Sequence, residues 1–376
     1  MTSTFQLLLN GTSADNNLIT ALSSLEVEEN ADLPGAIQLH LPVTRTADGD
    51  LQFVNDSGFQ PFANLAVVAT AQGQSPQCIF DGYILSHKLH LETGITASTF
   101  QVWGQDASWL MNLEEKVKEW VDVTDADVAS AIFNDYGITP ASDNSNDDSP
   151  SHTEDGHSLM QRASDIQFLR SLARRNGKLC RVVCADKPGK RTGYFVKPKL
   201  DGDPVFTLTL NEPDVWTVAA LDIDWDITRP SAVKASQALF NDSDEDGVSA
   251  DTSDSGLAKL SARGLADFAG KPMTTLLTAP VDDTGELTLR AQSLLREAGW
   301  FVRCEGEADV ARLKGVLRVG TVVQLNGIGA VHSGKYYVWS VRHTITADSH
   351  KMKFVLVRNA VGSPPSGGGG LLGGRP

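Results

Sequence analysis

One short run of sequence returns far along the chain: Tyr83-Ile-Leu-Ser-His-Lys reappears as Tyr337-Val-Trp-Ser-Val-Arg, at an offset of 254 positions. At the same offset, and without a gap, Ser86 matches Ser340, Lys88 matches Arg342, Leu91 matches Ile345 and Phe100 matches Phe354. Upstream, Val67-Val68 matches Val322-Val323 one position out of step. Two readings stay open. Either one β-barrel has been duplicated, so that the chain holds two barrels of similar topology, or two antiparallel hairpins with glycine turns resemble each other by chance.

The stretches around both copies read as strands. Ile37, Leu39, Leu41 and Val43 alternate with Gln38, His40 and Pro42, the two-residue period of a half-buried strand. Strand-like runs follow at 65–70, 79–91 and 99–103, and again at 206–210, 215–227, 320–325, 335–346 and 351–358. Short strands with frequent Gly, Asn, Asp and Ser turns suggest a barrel or sandwich.

Between the strand regions the period becomes helical. Thr124 with Asp127 resembles a capping box, Val128, Ile132 and Tyr136 share one face, and Gly137 can supply a left-handed stop. A second helix is expected from Ser164, with Gln167 at its third position, to Gly177; it buries Ile166, Leu169 and Leu172 or Ala173. A hairpin then joins 179–185 to 193–197 through a KPGKRT turn. A third helix carries Leu287, Ala291, Leu294, Leu295 and Ala298 as its apolar stripe and stops at Gly299.

A single hydrophobic core rarely serves more than roughly 250–300 residues, so the 376-residue chain is expected to hold several units. The expected division is a strand-rich region over 1–106, a small α/β domain over 107–203, and further strands over 204–235 and 310–360, the two strand regions being the first and second barrels that the family resemblance given below implies. An inserted domain with an acidic loop and a helix takes 236–309, and a Gly/Pro-rich tail takes 361–376. The fold class is thus mainly β (α+β), with antiparallel barrels and small mixed α/β domains between and within them.

The formal charge of −15 is uneven: residues 141–156 contribute −5 and residues 241–255 contribute −6, with no Lys or Arg in either. No basic groove for nucleic acid and no ~20-residue apolar span are present. The N-terminus lacks the basic start of a signal peptide, so the chain is expected to be cytoplasmic before assembly. Cys78, Cys180, Cys184 and Cys304 make no disulfide framework in so long a chain and are expected to be reduced, with Cys180 and Cys184 on one strand face.

Motifs that could carry chemistry each have a structural reading that fits better. Asp242-Ser-Asp244-Glu-Asp246-Gly247 begins like a calcium-binding EF-hand loop, but the bidentate Glu position holds Ser253 and position eight holds Ser249; a solvated acidic loop is expected. His87 and His90 fall on opposite strand faces, and His343 falls on the face of Tyr337, Trp339, Val341 and Ile345, as a core or interface histidine. Gly327-Ile-Gly329 fits a hairpin turn rather than a dinucleotide site. Asn10, Asn55 and Asn241 begin sequons that carry no meaning without secretion. Arg170, Arg174, Arg175 and Lys178 form the one basic concentration, expected at the solvated, dipole-complementing end of a helix. No catalytic residue, metal ligand or cofactor site is assigned, and no enzyme is expected.

Three stretches together resemble a known family. They are LLLNGTSADNNLITALSSLEVEENADLPGAIQLHL, ASDIQFLRSLARRNGKLCRVV and LRVGTVVQLNGIGAVHSGKYYVWSVRHTITADSHKMKFVLVRNA, with VWGQDASWLMN as a fourth. In order and spacing they look like the baseplate hub proteins of contractile injection systems: the phage late-control protein D family and the hub part of VgrG-type spikes. The resemblance implies two tail-tube-like barrels per chain and a homotrimer whose six barrels form a pseudo-hexameric ring. Such a structural ring would adapt a sixfold tail tube to a threefold spike. Implied partners are a tail tube or tube-initiator protein, a spike protein and baseplate wedge components, in a phage tail or phage-tail-like particle. Neither an OB-fold nor a β-helix spike follows residue 360, so the spike is expected on another chain. The competing expectations are a tail-associated module binding cell-wall glycan, for which Trp103, Trp109, Trp120 and Trp300 would have to face solvent, or a wall hydrolase component.

Overall fold

The computed structural model describes residues 3–93, 97–145, 151–154, 158–211, 215–237, 247–268, 270–281 and 284–362. Asp242 to Asp246 of the EF-hand-like loop, Asn241, Asp147, Asp148, Asp155 and the tail beyond residue 362 lie outside them. In chain order the first half contributes β1 (Ser3–Leu9), β2 (Ser24–Asn30), β3 (Ala36–Pro42), β4 (Asn64–Ala71), β5 (Gln77–His90) and β6 (Thr99–Asp106). Alternation forms these strands as expected: Leu25 and Val27, then Ile37, Leu39 and Leu41, point into the core while their neighbours stay half-buried or exposed.

The small α/β domain follows: β7 (Glu115–Trp120), α1 (Asp125–Asp135), β8 (Leu159–Ser164), α2 (Asp165–Arg175), β9 (Leu179–Cys184) and β10 (Arg191–Val196). The Thr124 hydroxyl accepts from the Asp127 N–H while the Asp127 carboxylate accepts from the Thr124 N–H, the reciprocal cap that the spacing predicts. The expected cap at Ser164 is different: its hydroxyl donates to Asn112 Oδ1 at 2.6 Å, outside the helix. Ile132 and Phe133 of α1 and Ile166, Leu169 and Leu172 of α2 pack with Cys180, Val182 and Phe195 of the hairpin as a core of their own.

The second half gives β11 (Thr207–Thr209), β12 (Val218–Trp225), β13 (Ala232–Gln237), β14 (Ser249–Thr252), β15 (Thr274–Ala279), α3 (Thr284–Ala298), β16 (Val302–Asp309), β17 (Val322–Asn326), β18 (Gly334–Ile345) and β19 (His350–Arg358). Strands β13, β14 and β15 form a separate three-stranded sheet, with Leu287, Ala291 and Leu295 of α3 against it. Leu294, expected in that stripe, is exposed. The sequence reading leaves β16 inside the inserted segment; the structure pairs it between β12 and β19. Val361, expected to open the tail, pairs with Arg263, next to the Ala360–Gly264 pair.

The two β units are not separate bodies. Outside the α/β domain and the β13–β15 sheet, the named strands belong to one 13-stranded sheet, in which β2 of the first unit pairs antiparallel with β18 of the second. Each unit has the same internal order: β2–β3–β6–β5–β4–β1 in the first and β12–β16–β19–β18–β17–β11 in the second. The last strand differs in direction, since β1 runs antiparallel to β4 whereas β11 runs parallel to β17. One apolar core runs through both units, including Leu25, Phe100, Val102, Val341 and Phe354.

Within this core His343 and His350 lie ring to ring, with Nδ1 of one 3.1 Å from Nε2 of the other. Burial is the main cause that holds both rings neutral; His350 is brought down to about 4, and for His343 the neighbouring His350 and Arg318 add to the effect. A histidine whose folded value lies below the ordinary 6.5 stabilises fully above that pH, and the contribution fades as pH falls toward 4. Unfolding free energy is therefore expected to drop between pH 6.5 and 4 by up to about 1.4 kcal/mol per pH unit for each ring. Urea titrations across that window check this: a His343→Leu/His350→Leu variant should show a flatter curve there.

Candidate functional site

The residues singled out for chemistry are dispersed. Cys78 and Cys184 form a disulfide that ties β5 to β9, against the expectation of four reduced thiols. Sequence spacing could not reveal this, because the partners lie 106 positions apart and meet only when the hairpin docks on the first unit. Cys180 and Cys304 are free and buried, and burial pushes both thiols up to about 12. His87 packs its ring on Phe100 while His90 meets Glu92 at 2.9 Å, so the two share nothing. Among the described residues no group of three His, Cys, Asp or Glu is placed to hold a metal.

The basic cluster on α2 is not simply a solvated helix end. Arg174 pairs with Asp32 at 3.1 Å and Arg175 with Asp125 at 3.0 Å, while Lys178 is buried with its ammonium 5.1 Å from the Phe195 ring. Asp125 also receives His152 Nε2 at 2.8 Å and the Asn176 amide. A His–Asp contact of this kind can orient a base, but here the carboxylate is shared among three partners inside the domain. Burial raises the Asp125 pKa, and the hydrogen bond from His152, the charge of Arg175 and the Asn176 amide more than offset it, leaving a net lowered value. Of the four tryptophans, Trp120 and Trp300 are buried and Trp103 and Trp109 half-buried; Trp109 stacks on the exposed Phe62 at 5.2 Å. Gly327-Ile-Gly329 does join two strands, with a helical turn at Gly329–His332 inside the connection.

A cavity of about 490 Å³ lies between the first unit, the α/β domain, residues 318–321 ahead of β17, and Tyr337 of β18. Part of its charged wall is already engaged: Glu29 with Arg318 at 2.6 Å, Asp81 with Arg191 at 2.9 Å, and Arg181 donating to the Val319 carbonyl at 2.8 Å. Such groups lock the units together rather than wait for a substrate.

The seam between the two units and two open strand edges have a different geometry. In the seam, Ser340 to Ile345 of β18 pair with Asn30 to Leu25 of β2. Arg342 Nη2 meets Glu28 Oε2 at 2.7 Å on the outer face, and Val341 and Ile345 are buried on the inner face. Strand β12 has β16 on one side and no described strand on the other; of its residues Ala219 to Trp225, Leu221 and Ile223 are half-buried and the rest exposed. Strand β5 has β4 alongside only as far as Tyr83, so Ser86 to His90 keep a single neighbour, β6. Trp225, Ile227 and Leu91 stand exposed at these edges.

The repeat explains why these edges match. Ile84 donates to the Ala63 carbonyl at 3.0 Å and its carbonyl accepts from Phe62 N–H at 2.8 Å; Val338 does the same with Thr321 and Gly320, at 2.9 and 3.0 Å. Immediately beyond, both strands shift register, between Ile84 and Ser86 and between Val338 and Ser340. The sequence echo was therefore structural, but its outer matches need correcting. Ladder pairing sets Val102, not Phe100, in the place of Phe354, because the loop after β18 is shorter than the loop after β5. It likewise sets Leu65 opposite Gly82 where Val323 faces Tyr336. Volume is exchanged between the copies: Leu39 beside Val102 corresponds to Gly306 beside Phe354, and a Cβ at Gly306 would lie 2.8 Å from the Phe354 ring.

Comparison with known proteins places this fold. The 43 kDa tail protein of prophage MuSo2 from Shewanella oneidensis superposes with a TM-score of 0.65 and 14% identity, over 96% of this chain and 99% of that one. The tail protein from Neisseria meningitidis MC58 gives 0.64 and 12%, over 96% and 98%. The E. coli c3393 protein, described as a component of the type VI secretion system, gives 0.57 and 11%, over 96% and 79%. No curated protein sequence matches the chain. Among the described residues no helix is long and apolar enough to cross a membrane. The mainly antiparallel β architecture is thus one shared with phage tail proteins. A family model described as the Alg8 N-terminal domain matches residues 1–347, and the chain belongs to that family.

Proposed function

We propose that this protein is a structural component of a contractile phage tail or tail-like injection apparatus, and that within it the chain serves as the baseplate hub. The observation that carries this reading is the repeat. One chain holds two β units of the same strand order, so three chains arranged in a ring would present six equivalent units to a sixfold tube and threefold symmetry to a spike. The work is mechanical adaptation of symmetry, with a tail tube or tube-initiator protein on one side, a spike on the other and baseplate wedge proteins around it. Catalysis has no part in this reading, since the polar clusters are internal locks between elements.

The test is the mass of the purified chain in solution. Light scattering or native mass spectrometry at micromolar concentration is expected to give three copies, and a stable, well-folded monomer at that concentration would overturn the hub reading.

A further inference from the structure

The seam inside one chain specifies how the next chain attaches. The geometry points to an antiparallel pairing between the exposed end of β5 in one copy and the free edge of β12 in a second copy, in the register that β18 and β2 use within the chain. This inference rests on the ring reading above and names its interface.

The argument is a correspondence of ladders. β18 corresponds to β5, and the pairings β2–β3 and β12–β16 make Leu25-Glu26-Val27-Glu28 correspond to Leu221-Asp222-Ile223-Asp224. Applying the seam register to the open edges sets Ser86 opposite Asp226, Lys88 opposite Asp224, His90 opposite Asp222 and Leu89 opposite Ile223 of the second copy. Lys88 and Asp224 then occupy the places of Arg342 and Glu28, which already form an ion pair on the outer face. The charges are complementary in the same sense, cation on the β5 type of strand and carboxylate on the β2 type.

Burial shows what the missing neighbour would cover. Val341, His343 and Ile345 are buried beneath β2, whereas their counterparts His87, Leu89 and Leu91 are exposed or half-buried. Leu25 and Val27 are fully buried; Leu221 and Ile223 are not. Ala31 N–H donates to the Trp339 carbonyl at 2.9 Å, and the corresponding groups, Ile227 N–H and the Leu85 carbonyl, lie at the two open edges. An edge strand of this kind is a template for another chain, and here the second template matches the first. Because β5 and β12 are different surfaces, the contact is head-to-tail and propagates around a ring.

The experiment uses the full chain with Lys88→Cys and Asp224→Cys. In the seam the Ala31–Trp339 bond makes Glu28 and Arg342 a non-hydrogen-bonded pair, whose Cα atoms lie about 4.5 Å apart in such ladders, within disulfide reach. Mild oxidation is expected to give covalent oligomers on a non-reducing gel, and Ser86→Cys with Asp224→Cys, a diagonal pair, is expected to give far fewer. A second arm reads charge: Lys88→Asp should weaken association at least about tenfold, and adding Asp224→Lys should recover most of it. A three-copy mass with no in-register cross-link and no charge-swap rescue would overturn the edge pairing and leave the ring standing. A monomer would overturn both.

Discussion

Replacing Asp81 with alanine is expected to destabilise the fold by about 3–5 kcal/mol, because it leaves a largely buried guanidinium without its carboxylate. Asp81 is fully buried and accepts from Arg191 Nη2 at 2.9 Å, from the Gly189 N–H at 2.7 Å and from Asn64 Nδ2 at 2.9 Å. Arg191 also donates to the Tyr83 hydroxyl at 3.0 Å, and its side chain is only 13% exposed. Urea unfolding at neutral pH measures the loss. An Asp81→Ala/Arg191→Met double variant should recover part of it, since the cost comes from the stranded charge. A loss below about 1 kcal/mol would mean that water reaches the pair. Burial raises the Asp81 pKa, but the Arg191 and Asn64 hydrogen bonds and the arginine charge outweigh it and hold it below the ordinary 3.8. A lowered carboxylate stabilises fully above that value, and its share is lost as pH falls through the lower folded one.

The second large effect is expected at the disulfide. Cys78→Ala/Cys184→Ala should lower stability by about 2–5 kcal/mol relative to the oxidised protein, by releasing a long closed loop in the unfolded chain. Thermal unfolding of the wild-type chain with and without reductant measures the same quantity, and the double variant should show no response to reductant. Cys184 and Arg191 are ladder partners on β9 and β10, and Cys78 and Asp81 sit on one strand, so bond and ion pair clamp the same contact between the first β unit and the α/β domain. Their effects should fall short of additive when combined.

Much of the local structure was legible from residue order. The alternation at Ile37, Leu39 and Leu41, the Thr124–Asp127 cap and the left-handed stops at Gly137 and Gly177 depend on neighbours a few positions away, and the folded chain reproduces them. The repeat was visible at Tyr83 and Tyr337 because both strands keep a bulge there. Its outer matches were misaligned because loop lengths differ between the copies, and an ungapped comparison cannot see a loop that has shortened. Of the basic cluster, Arg174 stays solvated as expected, while Arg175 turns inward for a related reason: Asp125, which pairs with it, is distant in sequence.

By itself, then, the order of residues determined many of the strands, the main helices and the Thr124 cap, since each follows from periodicity over one or two turns of chain, and it left open whether the echo marked two similar β units. Only the tertiary structure decided that β2 closes on β18, that Cys78 meets Cys184 and that β5 and β12 each end with an open edge. A strand's alternation states which face is buried but not which edge it will meet. That choice is made by bulges, loop lengths and charge pairs such as Arg342 with Glu28, which come together only when distant segments pack.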